Sequence, residues 1–325
     1  MVRIIQVGLG EIGRNVVAAL VKRGTHAQLV ALVDANPALQ GQRLAGLVVE
    51  GSIGAAMKRL KGRRPEVAVV TTGSKAESVA GTIRELADAG IHVVSSCEEL
   101  AWPRLRSPKL TAELDRYAAK RGVAVLGTGV NPGFAMDAFA LACTAPCTLV
   151  RGIKVRRSLD AAKRRYQLQK KVAPGMDVAA CKKLIKAGKI GHVGLSESIA
   201  MIAQGLGWKL DAITEKFAPV VAKKRIAGEH FRIEAGEVQG LWMRGFGRVG
   251  RKTLIELDLT MAFGVETFDE VVVDGEPPLV VKTTSGFPGD ASTVGMLVNC
   301  VDCVGSLEPG VRTMLDVMRV RSVGG

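Results

Sequence analysis

The sequence predicts an α/β protein with two domains, on three observations. An apolar run, a glycine-rich turn, a helical stretch and a second apolar run open the chain. Strand-like and helical segments then alternate, which is typical of a parallel sheet, and beyond residue 230 consecutive strand-like runs follow one another. We therefore expect a doubly wound, Rossmann-type parallel sheet and then an α+β domain with an open, mainly antiparallel sheet. The predicted ranges are 1–136 for the first domain, 137–290 for a substrate and dimerisation domain, and 291–325 for a C-terminal helix that packs back on the first domain.

The opening element is the apolar run Ile4–Val7, which we interpret as a buried strand. A G-x-G-x-x-G turn follows it, and a helical stretch then leads to a second strand that ends at Asp34. In this context the glycines permit the tight turn, the approach of a pyrophosphate to the backbone and close packing of the helix on the strand. The helix N-terminus offers free N–H groups to the phosphates. The pattern predicts a dinucleotide site at Gly8, Leu9, Gly10, Glu11, Ile12 and Gly13; the alternative is a turn that serves packing alone.

Asp34 bears on which dinucleotide is bound. A carboxylate at this strand tip accepts hydrogen bonds from the adenosine ribose hydroxyls and repels a 2′-phosphate. The next residues, 35–37, contain no arginine that would bind such a phosphate. NAD(H) is therefore favoured, while Gln40, Gln42 and Arg43 lie close enough in sequence to leave use of NADP(H) open.

The rest of the first domain continues the alternation. A helical region is expected after Asp34, then strands over 66–70, 92–96 and 123–126 with helices over 76–89 and 108–121 between them. In a doubly wound sheet the cofactor lies across the carboxyl ends of the strands. Thr71, Thr72 and Gly73 follow the strand 66–70 and are therefore expected to contact the nicotinamide half of the cofactor.

The second domain begins with a helix over 137–145 and a basic strand over 149–157. Helices near 176–188 and 195–206 follow, and then strand-like runs over 232–244, 252–264 and 271–281. The glycine-rich segment 245–250 is interpreted as a hairpin connection between the first two of these runs.

Composition limits the class of protein. The 325 residues are 47% hydrophobic and 23% charged, as in an ordinary globular protein, and they suffice for two domains. We expect a cytoplasmic protein, because no apolar run is long enough for a membrane helix and the first strand leaves no room for a signal peptide. The six cysteines show no disulfide framework, and Cys300-x-x-Cys303 lies in an apolar helical pattern that favours packing over zinc binding or redox chemistry. The four histidines show no metal-ligand spacing, and no metal is predicted.

The net charge of +14 is concentrated in part between Arg151 and Lys171, which span nine basic residues and one acid. Such a stretch can bind nucleic acid or another acidic surface. It contains a single aromatic residue, Tyr166, and no nucleic-acid-binding motif. A solvated basic face is the favoured interpretation.

A nicotinamide site needs a group that handles protons while hydride moves. Glu98 and Glu99 form an acidic pair after the strand 92–96, with apolar residues on both sides. A carboxylate there can accept a proton from an ammonium group or stabilise an iminium, or the pair simply begins the next segment and faces water. Because adjacent residues point to opposite sides, one of the two is expected in the pocket, and spacing does not decide which.

Four strings carry a resemblance to a known family: VVSSCEELAWP (93–103), GTGVNPGFAMD (127–137), YQLQKKVAPGM (166–176) and GHVGLSES (191–198). They resemble the NAD(P)-dependent amine dehydrogenases of the 2,4-diaminopentanoate dehydrogenase family, whose first domain is similar to the dihydrodipicolinate reductase type. The resemblance runs from the glycine turn to the helix at 291–304. It implies reversible oxidative deamination of an amine to a ketone or aldehyde and ammonia, in a homodimer, with a glutamate as the acid–base group.

The same resemblance implies roles for further residues. The acid–base role falls on Glu98 or Glu99. Asn131 is expected to contact the nicotinamide carboxamide or close the cleft, and the substrate pocket draws on Phe134, Arg165, Gln169 and His192.

The sequence also leaves other functions open. The chain has no adjacent histidines, unlike dihydrodipicolinate reductases, and has Cys97-Glu98 where homoserine dehydrogenases place an Asn-Lys pair. A carboxylate in that place favours a cationic amine over an oxyanion. The alternatives are an imine or carbonyl reductase or hydroxy-acid dehydrogenase on the same scaffold, and a non-catalytic nucleotide-sensing or nucleic-acid-binding protein.

Overall fold

A computed structural model describes residues 1–24, 27–164, 166–318 and 321–322 of the chain. The strands are β1 (Val2–Val7), β2 (Ala27–Val33), β3 (Arg43–Leu44), β4 (Leu47–Glu50), β5 (Val67–Val70), β6 (His92–Ser95), β7 (Ala124–Gly127), β8 (Leu149–Asp160), β9 (Ala212–Val221), β10 (Ile226–Ala227), β11 (Arg232–Ile233), β12 (Val238–Val249), β13 (Lys252–Ala262), β14 (Phe268–Glu276), β15 (Leu279–Thr283) and β16 (Gly310–Arg312). The helices are α1 (Glu11–Arg23), α2 (Ile53–Arg59), α3 (Ala76–Asp88), α4 (Pro108–Lys120), α5 (Ala138–Cys143), α6 (Tyr166–Lys170), α7 (Val178–Lys186), α8 (Leu195–Leu206), α9 (Gly289–Val304) and α10 (Met314–Val317).

The chain divides into two compact units. The first unit contains Met1–Phe134 and the segment that starts at Pro288, and the second contains Ala135–Phe287 with Arg321 and Ser322. The prediction of an α/β fold with a doubly wound parallel sheet and a second, mainly antiparallel sheet is confirmed.

The first unit is built on a sheet with the strand order β16-β7-β6-β5-β1-β2-β4-β3. Its pairs are parallel except for the short β3–β4 hairpin. The central strands are apolar on both faces because helices cover both, and Val67–Val70 is buried throughout. The order changes direction at β1, whose neighbours are β5 and β2. In such sheets ligands bind outside the carboxyl ends of the strands at this point.

The second unit contains a sheet with the order β15-β14-β8-β13-β12-β9, in which the β8–β13 pair is parallel and the other pairs are antiparallel. Helix α8 packs on one face of this sheet, against β12, β13 and β9. Along β12 buried and half-buried residues alternate, as expected for a sheet with one covered face.

Some predicted boundaries are wrong. The glycine-rich segment 245–250 is not the hairpin connection, because β12 continues to Val249 and the chain turns only at Gly250. Gly245 and Gly247 lie under helix α8, where a Cβ would come within 2.7 and 2.8 Å of the Ile199 side chain. These glycines therefore allow the helix to pack closely on the strand.

Other errors arise from proline and from short strands. The predicted run 271–281 is two strands, β14 and β15, because Pro277 and Pro278 interrupt the ladder. Strand β9 was missed; it contains Pro219 and forms one edge of its sheet, where proline is tolerated. The region after Asp34 is not helical throughout, since the β3–β4 hairpin precedes α2.

The helix predicted at 291–304 is confirmed as α9, but the range 291–325 assigned to a C-terminal helix is not helical throughout, and its residues 319–320 and 323–325 lie outside the described residues. Helix α9 ends at Val304, and the chain then forms β16, which pairs with β7, and the short helix α10. The segment Gly305–Gly310 contains two glycines and Pro309, which do not sustain a helix.

Candidate active site

The glycine turn has the geometry that a dinucleotide site requires. Gly8 adopts a φ of +91°, and a Cβ there would lie 2.8 Å from the Thr72 side chain and 2.9 Å from the Thr71 carbonyl oxygen. A Cβ on Gly13 would lie 2.0 Å from the Gly8 carbonyl oxygen, so only glycine fits where α1 crosses the end of β1. A Cβ on Gly10, in contrast, would meet no atom within 4 Å. The turn is therefore closed on its protein side and open at Gly10, as the approach of a pyrophosphate demands.

Helix α1 begins at Glu11, and its N-cap residue, Gly10, has no side chain to cap it. The amide groups of its first turn, which include those of Ile12 and Gly13, therefore remain available to an anion. Asp34 accepts a hydrogen bond from the Leu9 amide at 2.6 Å and another from the Asn36 amide at 2.8 Å. This carboxylate is held beside the turn, at the end of β2. The residues present fit a dinucleotide cofactor.

A buried network of hydrogen bonds holds the glycine turn in place. Gln6 is completely buried, and its amide nitrogen donates to the Gly8 carbonyl oxygen at 2.8 Å and to Thr71 Oγ1 at 2.9 Å. The Thr71 hydroxyl donates in turn to the Gly8 carbonyl oxygen at 2.9 Å. Sequence reasoning missed Gln6, although a single amide inside the apolar run Ile4–Val7 was the signal for it. The Arg14 guanidinium adds a hydrogen bond to the Leu9 carbonyl oxygen at 3.0 Å.

The acidic pair lies in a single 3₁₀ turn, Glu98–Ala101, directly after β6. The Glu99 carboxylate accepts a hydrogen bond from the Ala76 amide at 2.9 Å, and the Glu99 amide donates to the Ser74 carbonyl oxygen at 3.2 Å. Glu99 therefore caps the N-terminus of α3, where a negative charge is favourable. Glu98 is half-buried and has no hydrogen bond or ion pair within the described residues.

A glycine positions this acidic turn. A Cβ on Gly127 would lie 2.3 Å from the carbonyl carbon and oxygen of Leu100, so the turn packs directly on the backbone of β7. The Thr128 amide donates to the Ser95 carbonyl oxygen at 2.9 Å and joins the two strand ends. Burial raises the pKa of the neighbouring Cys97 thiol to about 12, so this cysteine is not a nucleophile in the site. Gly127 is the first residue of the string 127–137, but no pattern in the sequence predicts that it positions the glutamates.

The remaining predicted residues of the first unit lie after β5 and β7. Thr72 contacts the glycine turn, and a Cβ on Gly73 would lie 2.5 Å from Ser78 Oγ in α3. Asn131 is in the loop after β7 and forms a cis peptide bond with Pro132. Phe134 is half-buried at the end of the first unit.

The second unit holds the other predicted pocket residues. Gln169, on α6, is 2% exposed, and its amide nitrogen donates to the Arg164 carbonyl oxygen at 2.6 Å, while its amide oxygen is buried with no hydrogen-bond donor in the described residues. The His192 amide lies 3.2 Å from the Met243 sulfur of β12. Arg165 lies outside the described residues. Within those residues no group of three or more His, Cys, Asp or Glu side chains is arranged to hold a metal ion.

Buried acidic groups in the second unit were also missed. Asp137 is fully buried and accepts a hydrogen bond from the Ser198 hydroxyl at 2.6 Å. Asp269 is fully buried and pairs with the buried Arg157 at 2.5 Å. Asp137 is the last residue of the string 127–137, and Ser198 is the last residue of the string 191–198. The two strings therefore end in residues that are hydrogen-bonded to each other.

Two family models and a curated relative match the chain. Residues 134–325 match the family described as 2,4-diaminopentanoate dehydrogenase C-terminal domain, and residues 1–99 match the CoA binding domain family. The 2,4-diaminopentanoate dehydrogenase of Acetoanaerobium sticklandii is 31% identical over 337 aligned residues, which cover 100% of this chain and 95% of the relative.

Solved structures show the same fold. The amine dehydrogenase from Mycobacterium smegmatis has a TM-score of 0.80 at 22% identity, covering 97% of this chain and 95% of that one. The WlbA dehydrogenase from Bordetella pertussis, solved in complex with NADH and UDP-GlcNAcA, has a TM-score of 0.55 at 16% identity, covering 98% of this chain and 93% of that one.

The fold, the glycine turn and these likenesses define a nicotinamide-dependent dehydrogenase. The chain belongs to the 2,4-diaminopentanoate dehydrogenase family, and the predicted resemblance is confirmed. It is an NAD(P)-dependent amine dehydrogenase, an oxidoreductase acting on CH–NH₂ donors. None of the alternative functions that the sequence leaves open is favoured by these matches.

Proposed function

We propose that Glu98 binds the substrate amine and exchanges its proton, and that Glu99 holds the acidic turn in place. The contrast between the two side chains carries this proposal. Glu99 is occupied as the cap of α3, with the Ala76 amide 2.9 Å from its carboxylate, whereas Glu98 has no protein partner among the described residues. A half-buried carboxylate with free acceptor oxygens at the carboxyl end of β6 is suited to a cationic amine.

The reaction converts a CH–NH₃⁺ donor, NAD⁺ and water into a ketone or aldehyde, ammonium, NADH and a proton. When bound, the nicotinamide accepts the hydride from the carbon that carries the amine. Glu98 pairs with the ammonium group and takes one of its protons, which frees the nitrogen lone pair for iminium formation. After it has released that proton to solvent, the same carboxylate accepts a proton from the water that attacks the iminium carbon and passes it to the amine nitrogen, which leaves as ammonia and is protonated to ammonium as the carbonyl forms. In reductive amination these steps run in reverse.

The test compares Glu98→Gln with Glu99→Gln in NADH oxidation with small ketones and aldehydes, with and without ammonium. We expect Glu98→Gln to lower kcat/KM by about 100-fold or more, since general acid–base groups contribute about 10²- to 10⁴-fold. Its melting temperature and NADH affinity should match the wild type. Glu99→Gln should instead lower the stability by about 1 kcal/mol through the weakened cap.

The outcomes separate the alternatives. Loss of turnover in Glu99→Gln with an active Glu98→Gln would reverse the two roles. Turnover that does not need ammonium would indicate a carbonyl reductase. For oxidative deamination the diamino acid named in the relative, 2,4-diaminopentanoate, is the first substrate to try, because the relative is 31% identical along the whole chain.

We propose NAD(H) as the preferred cofactor, with NADP(H) as the weaker one. The Asp34 carboxylate lies beside the turn, 2.6 Å from the Leu9 amide, where it repels a 2′-phosphate. Of the three nearby residues that left NADP(H) open, Gln40 and Gln42 donate to the carbonyl oxygens of Ala35 and Ala38, and Arg43 donates to that of Gly46. The measurement is kcat/KM for NADH against NADPH in the wild type and in Asp34→Ser, in which the preference should shrink or reverse.

We propose that the second unit supplies substrate contacts and the dimer interface. Gln169 offers a buried amide oxygen without a donor, which suits an N–H group of the substrate. The predicted roles of Phe134, Arg165 and His192 in the pocket, and of Asn131 beside the nicotinamide, stay part of this proposal. Variants Gln169→Leu and His192→Leu should raise KM for the amine more than that for NADH.

The homodimer proposal rests on the face of the second sheet opposite α8. Trp242 and Phe246 point to this face from β12, and Val280 of β15 is 63% exposed there. Between these apolar side chains the strands carry ion pairs, including Arg244–Asp258 at 2.6 Å. A large apolar and charged surface of this kind favours association with a second copy. Sedimentation of the wild type and of Trp242→Glu tests it, and a wild-type monomer would contradict it.

The basic stretch does not favour nucleic acid. Four of its residues form ion pairs with acids of the same sheet: Arg151 with Asp274 and Glu276, Lys154 with Glu256, Arg156 with Glu270, and Arg157 with Asp269. A bound polyphosphate would have to displace these carboxylates. None of the described helices is long and apolar enough to cross a membrane. We keep small-molecule amines, ketones and ammonia as the partners, and the cytoplasm, the usual location of metabolic dehydrogenases, as the compartment.

A further inference from the structure

The C-x-x-C segment forms a close thiol pair on the last turn of helix α9. Cys300 is 3% exposed, and Cys303 is half-buried and accessible from solvent. The Cys303 thiol donates to the Cys300 carbonyl oxygen at 3.5 Å, and the two thiols are close enough to shift each other's pKa. The amine dehydrogenase reaction does not use this pair.

The pair differs from the other cysteines in its acidity. The hydrogen bond from Cys300 lowers the pKa of the Cys303 thiol to about 7, and the same bond together with burial raises the pKa of Cys300. Burial raises the pKa of Cys97 to about 12 and that of Cys143 to about 11, and it also raises the pKa of Cys181. A thiol whose pKa lies near the ambient pH is the optimum attacking group in thiol–disulfide exchange. Cys303 therefore combines access with thiolate character.

The backbone allows a bond between the two sulfurs. In an α-helix residues i and i+3 have Cα atoms about 5 Å apart, which is within the range for disulfides. Their side chains align when the turn tightens to 3₁₀ geometry. Cys303 is the last but one residue of α9, and i+3 bonds already follow it, from the Ser306 amide to the Cys303 carbonyl oxygen at 3.0 Å and from Leu307 to Val304 at 3.2 Å.

We propose that Cys300 and Cys303 are a reversible oxidation site. When a low-molecular-weight disulfide oxidises them, they form a disulfide with each other inside helix α9. The Cys303 thiolate attacks one sulfur of the oxidant, breaks its S–S bond and releases one thiolate. Cys300 then loses its proton and attacks the Cys303 sulfur, releasing the second thiolate. Both cysteines are thereby oxidised by two electrons in total, and one molecule of disulfide is reduced to two thiols.

The site is connected to the cofactor turn within the first unit. The side chain of Thr128 contacts the Cys300 thiol, and Thr128 is in the loop after β7 that also contains Asn131. On the other side of α9, Arg23 of helix α1 pairs with Asp302 at 2.6 Å and donates to the Val298 carbonyl oxygen at 3.0 Å. Helix α1 begins at the glycine turn. Tightening the last turn of α9 therefore displaces contacts to both the cofactor helix and the loop, and oxidation should weaken NADH binding by about fivefold.

Mass spectrometry tests the site directly. Full-length protein is incubated with oxidised glutathione, alkylated and digested with trypsin, which releases residues 283–312 with Cys300 and Cys303 as their only cysteines. We expect this peptide to be lighter by two hydrogens, without alkylation, and to recover both alkylation sites after reduction. NADH affinity is measured on the same samples. A fully alkylated peptide, or a disulfide that leaves NADH affinity unchanged, would overturn the proposal.

Variants separate the steps. Cys303→Ser should not react with glutathione, and Cys300→Ser should stop at a mixed disulfide on Cys303. Cys143→Ser, at another buried cysteine, is the matched control and should oxidise like the wild type. The pH dependence of Cys303 alkylation should have its midpoint near 7 in the wild type. A midpoint at about 8.5, the ordinary value for a thiol, would contradict the proposed activation.

Discussion

The two sheets of this protein use polar residues in opposite ways. In the first unit the central strands are buried on both faces, so Val67–Val70 and Ala124–Gly127 contain no polar side chain at all. Polar side chains in the neighbouring strands are few: Gln6 of β1 is completely buried and hydrogen-bonds the glycine turn, and buried Ser95 at the end of β6 accepts a hydrogen bond from the Cys97 amide. In the second unit the exposed face of the sheet carries rows of ion pairs, such as Arg156–Glu270. An isolated polar residue in the first sheet thus indicates the site, whereas in the second sheet charged residues are the normal content of one face.

The difference also changes what one residue contributes to stability. Neighbouring residues on β14, Asp269 and Glu270, pair with neighbouring residues on β8, Arg157 and Arg156. Asp269 and Arg157 face the interior and are at most 1% exposed, while the other pair faces outward. Asp269 also accepts the Phe287 amide at 2.7 Å, and Arg157 donates to the Phe287 carbonyl oxygen at 2.8 Å.

The largest effect is therefore expected for Asp269→Asn. It leaves the Arg157 guanidinium buried without its counter-charge, which should lower the free energy of unfolding by about 3–5 kcal/mol. The adjacent Glu270→Gln is the matched control and should cost less than about 1 kcal/mol. Denaturant unfolding of both variants measures the difference, and equal losses would remove the distinction between the two faces of the second sheet.

A smaller effect is expected at the glycine turn of the first sheet. In Gly13→Ala the Cβ meets the Gly8 carbonyl oxygen at 2.0 Å, so the turn must move, and NADH affinity should fall by about 100-fold, or ~2.7 kcal/mol. In Gly10→Ala the Cβ has open space on the protein side, so the melting temperature should stay near that of the wild type while NADH binding weakens. NADH titration and thermal melting separate the two variants. A normal affinity in Gly13→Ala would mean that the turn adapts.

The smallest effect concerns the amino end of the first sheet. His92 begins β6, and its Nδ1 accepts a hydrogen bond from the Ala124 amide at 3.0 Å. Burial lowers the pKa of His92 below its ordinary 6.5. Neutral His92 therefore stabilises the fold above about pH 6.5, and this contribution is lost as the pH falls through the folded-state pKa. Melting curves from pH 7.5 to 5 should show a steeper decline in the wild type than in His92→Asn. Parallel declines would exclude a role for this histidine.

The sequence predicted the site correctly where a residue type can be explained by only one physical requirement. The glycine turn and Asp34 were predicted residue by residue, because backbone approach and positive φ exclude side chains at Gly8 and Gly13. In the second unit the same residue type misled. Gly245 and Gly247 suggested a turn, but they make room for Ile199 of helix α8, a residue about fifty positions away.

Local pattern by itself determined five strands of the first sheet (β1, β2, β5, β6 and β7), the cofactor turn and the family, since these depend on residues that are adjacent in sequence. Tertiary structure alone distinguished Glu98 from Glu99. Both are acidic, adjacent and half-buried, and they differ only because the N-terminus of α3, more than twenty residues earlier in the chain, meets one carboxylate and leaves the other unpaired among the described residues. A hydrogen bond between segments that folding brings together leaves no periodicity in the sequence, and so only the folded chain decides it.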